Sequence, residues 1–193
     1  LLGEGAFGAV SHVVFRIIRP TMDRYVAWDS PWMADKAAAG GGALLNLGGH
    51  GFDMAWFLTE TEPEVVSAAI SHRVAGASVE DYGMATLRLP DGTLFHNEVG
   101  YTMPTWPANR TDGEQKIAGE RMLVRQVPEG VHILAPGRDE VLRQPDGWIS
   151  GYPAFIKDAL ERHDRGDPPP IPPSACARAM RLIADAYRVA VTA

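Results

Sequence analysis

The chain has 193 residues, of which 46% are hydrophobic and 22% are charged, and its formal net charge is −6. This length fits one globular domain with a substantial core. The negative charge, which is not concentrated in blocks, argues against a nucleic-acid or anionic-membrane surface, and no apolar run reaches the roughly 18 residues of a spanning helix. The single Cys176 cannot form an internal disulfide, which is typical of a protein in a reducing cytoplasm.

The first ten residues place Gly3, Gly5 and Gly8 at the G-x-G-x-x-G spacing of nucleotide-binding loops. A dinucleotide site needs a buried strand before this motif and a helix after it, but only two residues precede it and HVVFRII (12–18) alternates like a strand. The V-A-I-K, H-R-D and D-F-G motifs of a protein kinase are absent. We therefore expect residues 1–8 to end a helix and turn into the first strand.

Residues 20–39 contain two prolines and no clear period, which indicates a long loop. A helix follows over 40–59, PDG (90–92) and PEG (128–130) predict hairpins, and Ser174 is suited to cap the last helix. The remaining predicted elements are strands near 64–74, 81–89, 93–102, 114–119, 121–127, 131–135 and 139–144, helices over 151–163 and 174–191, and an extended connection over 165–174. This order predicts one α+β domain over 1–193, with a large, mostly antiparallel open sheet and its helices packed on one face.

The predicted helix over 40–59 is apolar on nearly every side, which is typical of a buried helix. Its exceptions are Asn46, His50 and Asp53, which are spaced i, i+4 and i+7 and fall within one narrow stripe. An unpaired buried polar group costs about 1–3 kcal/mol, so the stripe meets polar structure or faces a cleft. A histidine there is suited to proton transfer. The alternative is a core histidine bonded to a carbonyl group, and Asp53 either orients the ring or bridges to a basic residue.

Aromatic and carboxylate groups precede this helix. Trp28, Asp29 and Trp32 provide the stacking surfaces and hydroxyl acceptors that a polyol site uses, although loop tryptophans also serve as packing anchors. Residues after the 81–102 hairpin are candidates for lining the same cleft, namely Tyr101, Trp106 and Asn109. The histidines show no H-x-x-x-H or H-E spacing, so we expect no metal site.

Glycines surround the polar stripe. Gly40, Gly41 and Gly42 lie at the start of the predicted helix, where free N–H groups favour anions or hydroxyl oxygens. Gly48 and Gly49 lie within it, and each costs about 1 kcal/mol relative to alanine. We expect a close approach of this helix to the sheet or to a ligand to offset that cost.

The second face of the sheet is predicted to be mixed. Over 81–89, Leu87 and Leu89 point one way, while Tyr82 and Met84 lie on the other side with polar residues. An antiparallel face exposed only to water should alternate more strictly. A mixed face of this kind suits a protein–protein interface, so we expect a homodimer or homotetramer that forms through it.

The segment GGGALLNLGGHGFD (40–53) resembles the GGGxLxDxGxHxxD signature in the C-terminal domain of the Gfo/Idh/MocA oxidoreductases, which are two-domain NAD(P)-dependent dehydrogenases of sugars, inositols and related molecules. WDSPWMADKAAAGGG (28–42), the 80–104 segment and the two last helices are similar to the family in the same order. The resemblance implies the dihydrodipicolinate-reductase-like C-terminal fold. It also implies that His50 is the catalytic acid/base, whereas Asn46 departs from the aspartate of many members.

The resemblance therefore implies the substrate-binding half of an oxidoreductase that transfers hydride between NAD or NADP and a sugar, inositol or related polyol. We expect Asn46 to position the substrate. The family's nucleotide-domain lysine, in an E-K-P motif, has no counterpart here, and the cofactor is expected to bind mainly to an N-terminal Rossmann domain that this chain lacks. Without that domain, we expect the isolated chain to be inactive. The alternative function is a non-catalytic ligand-binding or assembly module that retains the fold, which Asn46 would favour.

Overall fold

A nine-stranded sheet organises the described part of the computed structural model, which comprises residues 5–104, 111–143 and 151–192. In chain order its elements are β1 (Val10–Ile18), α1 (Thr21–Ala27), a 3-10 turn (Pro31–Ala34), α2 (Lys36–Ala39), α3 (Ala43–Thr59), β2 (Glu64–Ser71), β3 (Tyr82–Arg88), β4 (Leu94–Gly100), β5 (Asp112–Gly119), β6 (Leu123–Val127), β7 (Gly130–Ala135), β8 (Arg138–Arg143), α4 (Gly151–Arg165), α5 (Pro173–Val189) and β9 (Ala190–Thr192).

The strands lie in the order β8-β7-β6-β5-β1-β4-β3-β2-β9. β1 is parallel to β4 and β2 is parallel to β9, whereas the other neighbouring strands described are antiparallel. The predicted turns at 90–92 and 128–130 join β3 to β4 and β6 to β7. The prediction of an α+β fold with a large, mostly antiparallel open sheet is therefore confirmed.

One face of the sheet is apolar because alternate residues of the central strands point toward the helices. Val13 and Phe15 of β1 and Phe95 and Val99 of β4 are at most 4% exposed. α3 packs on β3 and β4, and α5 packs against α3 and β2. β3 alternates between buried and accessible residues, as predicted.

A close backbone approach fixes the position of α3 on the sheet. A Cβ atom at Gly51 would lie 2.4 Å from Asn97 Oδ1, so this position requires glycine. Asn97 Nδ2 also donates to the carbonyl group of Gly48 at 2.8 Å. At Gly49 the nearest atom to an added Cβ is Ile183 Cδ1 at an ordinary 3.6 Å. The helix therefore approaches the sheet closely at Gly51 and, through the bond to Asn97, at Gly48, whereas Gly49 makes only an ordinary contact with α5.

Residues 20–39 are not a simple loop. They contain α1, the 3-10 turn and α2, and this segment is held because Tyr25 of α1 is buried in the core and Met22 packs against that core. The helix after them starts at Ala43 rather than residue 40. The prediction of a loop misses α1 because a seven-residue helix carries too little periodic signal.

The two C-terminal helices also differ from expectation. α4 buries none of its residues, so α3 and α5 cover the sheet without it. α5 begins at Pro173 with Pro172 as its N-cap, and Ser174 does not cap it. Proline is favoured at the first helical position because it has no N–H group to leave unpaired. The helix ends at Val189, where β9 begins to pair with β2.

The N-terminal glycines form a turn. The N–H group of Gly8 donates to the carbonyl group of Gly5 at 3.2 Å, and β1 follows directly. The helix predicted to end within residues 1–8 does not extend into 5–8, and residues 1–4 lie outside the described part. Among the helices described, none is both long and apolar enough to cross a membrane.

Candidate active site

The buried carboxylate of Glu80 fixes the N-terminal end of α3. Its oxygens accept hydrogen bonds from the N–H groups of Gly42 at 2.9 Å and Leu44 at 3.0 Å, and from the Tyr187 hydroxyl at 2.6 Å. A Cβ atom at Gly42 would lie 2.0 Å from the Glu80 carbonyl oxygen, which explains the glycine. Burial and the bond to Glu80 raise the pKa of Tyr187.

This arrangement corrects one expectation from the sequence. Backbone N–H groups at the start of α3 do bind an anion, because the partial positive charge of a helix N-terminus favours one. The anion is the chain's own Glu80 rather than a ligand. The glycine-rich segment therefore shapes the end of the helix, and the N–H groups bonded to Glu80 are not free for a ligand.

A cleft of about 280 Å³ opens beside the polar stripe of α3, between this helix and the part of the chain that contains α1 and the 3-10 turn. Its volume is near the lower end of the roughly 300–1,000 Å³ range of ligand pockets, so it suits a small molecule. Four of the predicted site residues line it together, namely Trp28, Trp32, Asn46 and His50. The other lining residues are Arg19, Arg24, Tyr25, Ser30, Met33 and Leu47.

Asn46 is held by a chain of hydrogen bonds that runs from the cleft into the core. Its Nδ2 donates to the Tyr25 hydroxyl at 2.7 Å, and the Tyr25 and Tyr101 hydroxyl oxygens are 2.9 Å apart. Burial raises the pKa of Tyr25, and burial together with the bond to Tyr25 raises the pKa of Tyr101, so both remain neutral near pH 7. The bond to Tyr25 holds the amide group in place, and Asn46 Oδ1, the acceptor atom of the amide, can accept a bond from a ligand hydroxyl.

His50 lies one helical turn beyond Asn46 on the same accessible stripe. Among the described residues, no side chain makes a hydrogen bond to its ring. The alternative of a core histidine bonded to a carbonyl group does not fit an exposed ring that lines a cleft. An imidazole in this position can exchange a proton with a bound molecule.

Trp28 and Trp32 form the outer part of the cleft. They are 59% and 54% exposed, whereas tryptophans that act as packing anchors are usually largely buried. Their accessible rings offer flat apolar surfaces of the kind on which sugar rings stack.

Two guanidinium groups, those of Arg19 and Arg24, also line the cleft. Both residues are half-buried, and the Arg24 guanidinium carbon lies 4.2 Å from the centre of the Trp28 ring. Burial and the neighbouring positive charge of Arg24 lower the pKa of Arg19. No carboxylate in the described part of the chain forms an ion pair with either group.

Other predicted site residues lie outside this cleft. Asp29 and Asp53 are exposed and do not line it, and Asp29 has a left-handed backbone with φ of 51°. Tyr101 lies behind Tyr25, and it lines a separate cavity of about 380 Å³ with Met22 and others. Asn109 falls outside the described residues, as does Trp106.

The sequence-based prediction missed Arg19, Arg24, Tyr25 and Glu80. The signal for the first three was weak but present, because Met22 and Tyr25 are spaced i and i+3 and a helix there turns both toward the core. Nothing local indicates that Glu80 meets glycines near residue 42, since that contact depends on how β3 is placed beside α3.

The described residues offer no cluster of histidine, cysteine or acidic side chains that could hold a metal ion. The described part of the N-terminal glycine motif does not have the form of a dinucleotide-binding loop. Residues 5–8 form a turn that leads directly into β1, so the motif there lacks the following helix whose N-terminus would bind the pyrophosphate.

Residues 1–122 match the GFO/IDH/MocA C-terminal domain. The match covers well over half of the 193 residues, including β1, α3 and every described residue that lines the cleft. The chain belongs to the Gfo/Idh/MocA family. No curated protein is significantly similar to it.

Several solved structures share this fold. GenD2 from gentamicin A biosynthesis, in complex with NAD, has a TM-score of 0.75 and 24% identity, with 96% of this chain and 54% of GenD2 aligned. The WlbA dehydrogenase from Bordetella pertussis, in complex with NADH and UDP-GlcNAcA, has a TM-score of 0.73 and 22% identity over 97% of this chain and 56% of WlbA. An oxidoreductase from Agrobacterium radiobacter, in complex with NAD+, L-tartaric acid and magnesium, has a TM-score of 0.77 and 18% identity. The alignment covers 97% of this chain and 56% of that oxidoreductase.

These similarities show that the family fold extends over nearly the whole of this chain. The chain spans only about half the length of each of these relatives.

Proposed function

We propose that this chain is the substrate-binding half of an NAD(P)-dependent oxidoreductase that acts on a secondary alcohol of a sugar, inositol or related polyol. The observation that carries the proposal is the cleft in which His50 and Asn46 face two exposed tryptophans. Family membership supports an oxidoreductase, and the complex of the similar WlbA with UDP-GlcNAcA supports a sugar-type substrate.

In this proposal the tryptophans bind the sugar ring and the polar stripe handles the reacting hydroxyl. Asn46 Oδ1 accepts a hydrogen bond from a substrate hydroxyl, and the bond from Nδ2 to Tyr25 orients the amide group for it. His50 accepts the hydroxyl proton as the alcohol is oxidised, or returns it in the reverse direction. A nicotinamide cofactor supplies the hydride acceptor, and we propose that it binds to a nucleotide domain outside this chain.

The test is substitution of His50 by alanine in a complete protein that contains these residues. We expect kcat to fall by about 10²–10⁴-fold, the usual contribution of a general acid or base. The melting temperature should stay the same, because His50 is exposed and no side chain among the described residues makes a hydrogen bond to its ring. His163→Ala, on the exposed surface of α4, is the matched control.

Turnover by His50→Ala near the wild-type rate would contradict the proposal, as would loss of the fold. If no sugar or polyol supports NAD(P) reduction even by the wild type, the alternative of a binding or assembly module is favoured.

We also propose that the open face of the sheet is the interface of a homodimer or homotetramer. The face carries Arg16, which is paired with Asp112 at 3.1 Å, and two strands away the exposed Met84. Burial and Glu98 raise the pKa of Tyr82 there to about 12. A mixed face of this kind is typical of subunit interfaces. Light scattering at tens of micromolar should give at least a dimer mass, and a monomer mass would contradict the interface.

A further inference from the structure

The charge of the cleft is one-sided. Arg19 and Arg24 line it, whereas none of the described residues that line it carries a carboxylate. A polyol requires hydrogen-bond acceptors as well as donors, and carboxylates are the strongest acceptors in proteins. Two cations without acidic neighbours are therefore more than a neutral polyol needs.

The two arginines are also poorly compensated by the protein itself. The Nε atom of Arg19 is buried and has no hydrogen-bond partner. Arg24 is held over the Trp28 ring, which orients its guanidinium plane but does not neutralise its charge. A partly buried cation that lacks an ion-pair partner gains more from a bound anion than one that is already paired.

Arg16, on the open face of β1, also has a buried Nε atom without a hydrogen-bond partner, but unlike Arg19 it has two carboxylate partners. Its guanidinium lies 3.1 Å from Asp112 and 3.4 Å from Glu114. The strand thus presents one arginine that is neutralised within the fold, and Arg19 follows its end toward the cleft with no ion-pair partner among the described residues. The difference lies in the surroundings rather than in the residue type.

We infer that the cleft selects an anionic substrate, in which Arg19 and Arg24 bind a carboxylate or phosphate group while His50 faces the hydroxyl-bearing part of the molecule. The inference rests on the proposed function for the identity of the reacting group, but the anion site itself is a separate property. Guanidinium groups bind both kinds of anion through paired hydrogen bonds. The substrate class is therefore a sugar acid or a sugar phosphate rather than a neutral sugar.

The test compares three probes that differ in one group, namely glucose, glucuronate and glucose 6-phosphate. Each is titrated into the full 193-residue chain at one fixed ionic strength, and binding is followed by NMR chemical-shift changes of the tryptophan indoles. We expect at least one anionic probe to bind tenfold or more tightly than glucose. The more tightly bound of the two distinguishes a carboxylate site from a phosphate site.

Arg19→Gln should reduce the preference for the anion over glucose by at least fivefold. Arg143→Gln, on the exposed edge strand β8, removes the same charge far along the sheet and should leave the preference intact. A circular-dichroism melt of each variant separates loss of binding from loss of fold, and Arg24→Gln provides a second variant of the pair.

Equal affinity for glucose and both anions would overturn the inference, as would the absence of binding by any probe or an unchanged preference in both arginine variants. The proposed function fails in a different way, through the absence of NAD(P)-linked turnover by the complete protein. Anion-selective binding without turnover would thus retain this inference and reject the proposed reaction.

Discussion

The two polar clusters on α3 have opposite characters. At the helix N-terminus, Glu80 is 3% exposed and both of its carboxylate oxygens have partners within the fold. On the accessible stripe, Asn46 has one bond to Tyr25 and His50 has no side-chain partner among the described residues. Both clusters combine polar groups with glycine-rich sequence, so composition alone does not separate them.

The difference shows how to distinguish a structural polar cluster from a ligand site. A buried cluster must satisfy all its groups internally, because each one left unpaired costs about 1–3 kcal/mol. A cluster that faces a cleft can leave groups unpaired, because water or a ligand completes them. We therefore expect substitutions in the Glu80 cluster to act on stability and those in the cleft to act on binding and turnover.

The largest expected effect is that of Glu80→Gln. The new amide offers one acceptor where the carboxylate offered two, so an N–H group at the start of α3 is left unpaired. We expect the free energy of unfolding to fall by about 3 kcal/mol, as measured by urea denaturation. Glu62→Gln, which loses only an exposed pair with Arg181, should cost less than about 1 kcal/mol. Equal stability of Glu80→Gln and Glu62→Gln would contradict the structural role of the Glu80 cluster.

A smaller effect is expected at two glycines of α3 that differ in their surroundings. Gly51→Ala places a methyl group against the buried Asn97 and should lower the free energy of unfolding by about 1–2 kcal/mol after the gain in helix propensity. Gly49→Ala meets only an ordinary contact with Ile183 and should raise it by up to about 1 kcal/mol. The opposite signs are the test, and thermal melts of both variants decide it.

A modest effect on stability is expected for Tyr25→Phe. Asn46 returns to water and only the buried Tyr101 hydroxyl loses its partner, so the free energy of unfolding should fall by about 1 kcal/mol. Tyr187→Phe should cost more, about 2 kcal/mol, because the lost bond is to the Glu80 carboxylate. In a complete protein, Tyr25→Phe should also reduce kcat/KM, whereas Tyr187→Phe should not. A larger loss of stability for Tyr25→Phe than for Tyr187→Phe would contradict the division into a structural cluster and a ligand site. A loss of kcat/KM for Tyr187→Phe alone would contradict it as well.

Much of the fold was predictable because it is encoded locally. The 3.6-residue period placed Asn46 and His50 on one stripe of a helix, and period-2 alternation placed Val13 and Phe15 on the buried face of β1. The turns at 90–92 and 128–130 were predicted from their residue types alone. Each of these features depends on residues that are close together in the chain.

The features that were missed depend on distant residues. β9 is only three residues long, and it exists because β2 offers an unpaired edge. Glu80 meets the start of α3 across a sequence separation of 38 residues. Only one wall of the cleft was predicted, because the polar stripe on α3 follows from local periodicity. The opposite wall, formed by Arg19, Arg24 and Tyr25, depends on the packing of α1.

The central position of β1 also bears on how the protein is made. This strand leaves the ribosome before its partners, and it cannot be completed on both sides until β5 has been synthesised to Gly119. At about 5–20 residues per second, that interval lasts roughly 5–20 s. Meanwhile Val13, Phe15 and Ile17 form an apolar segment with open edges, the type of segment that aggregates or recruits chaperones. Nascent chains that end before Gly119 should therefore be the species most dependent on chaperones.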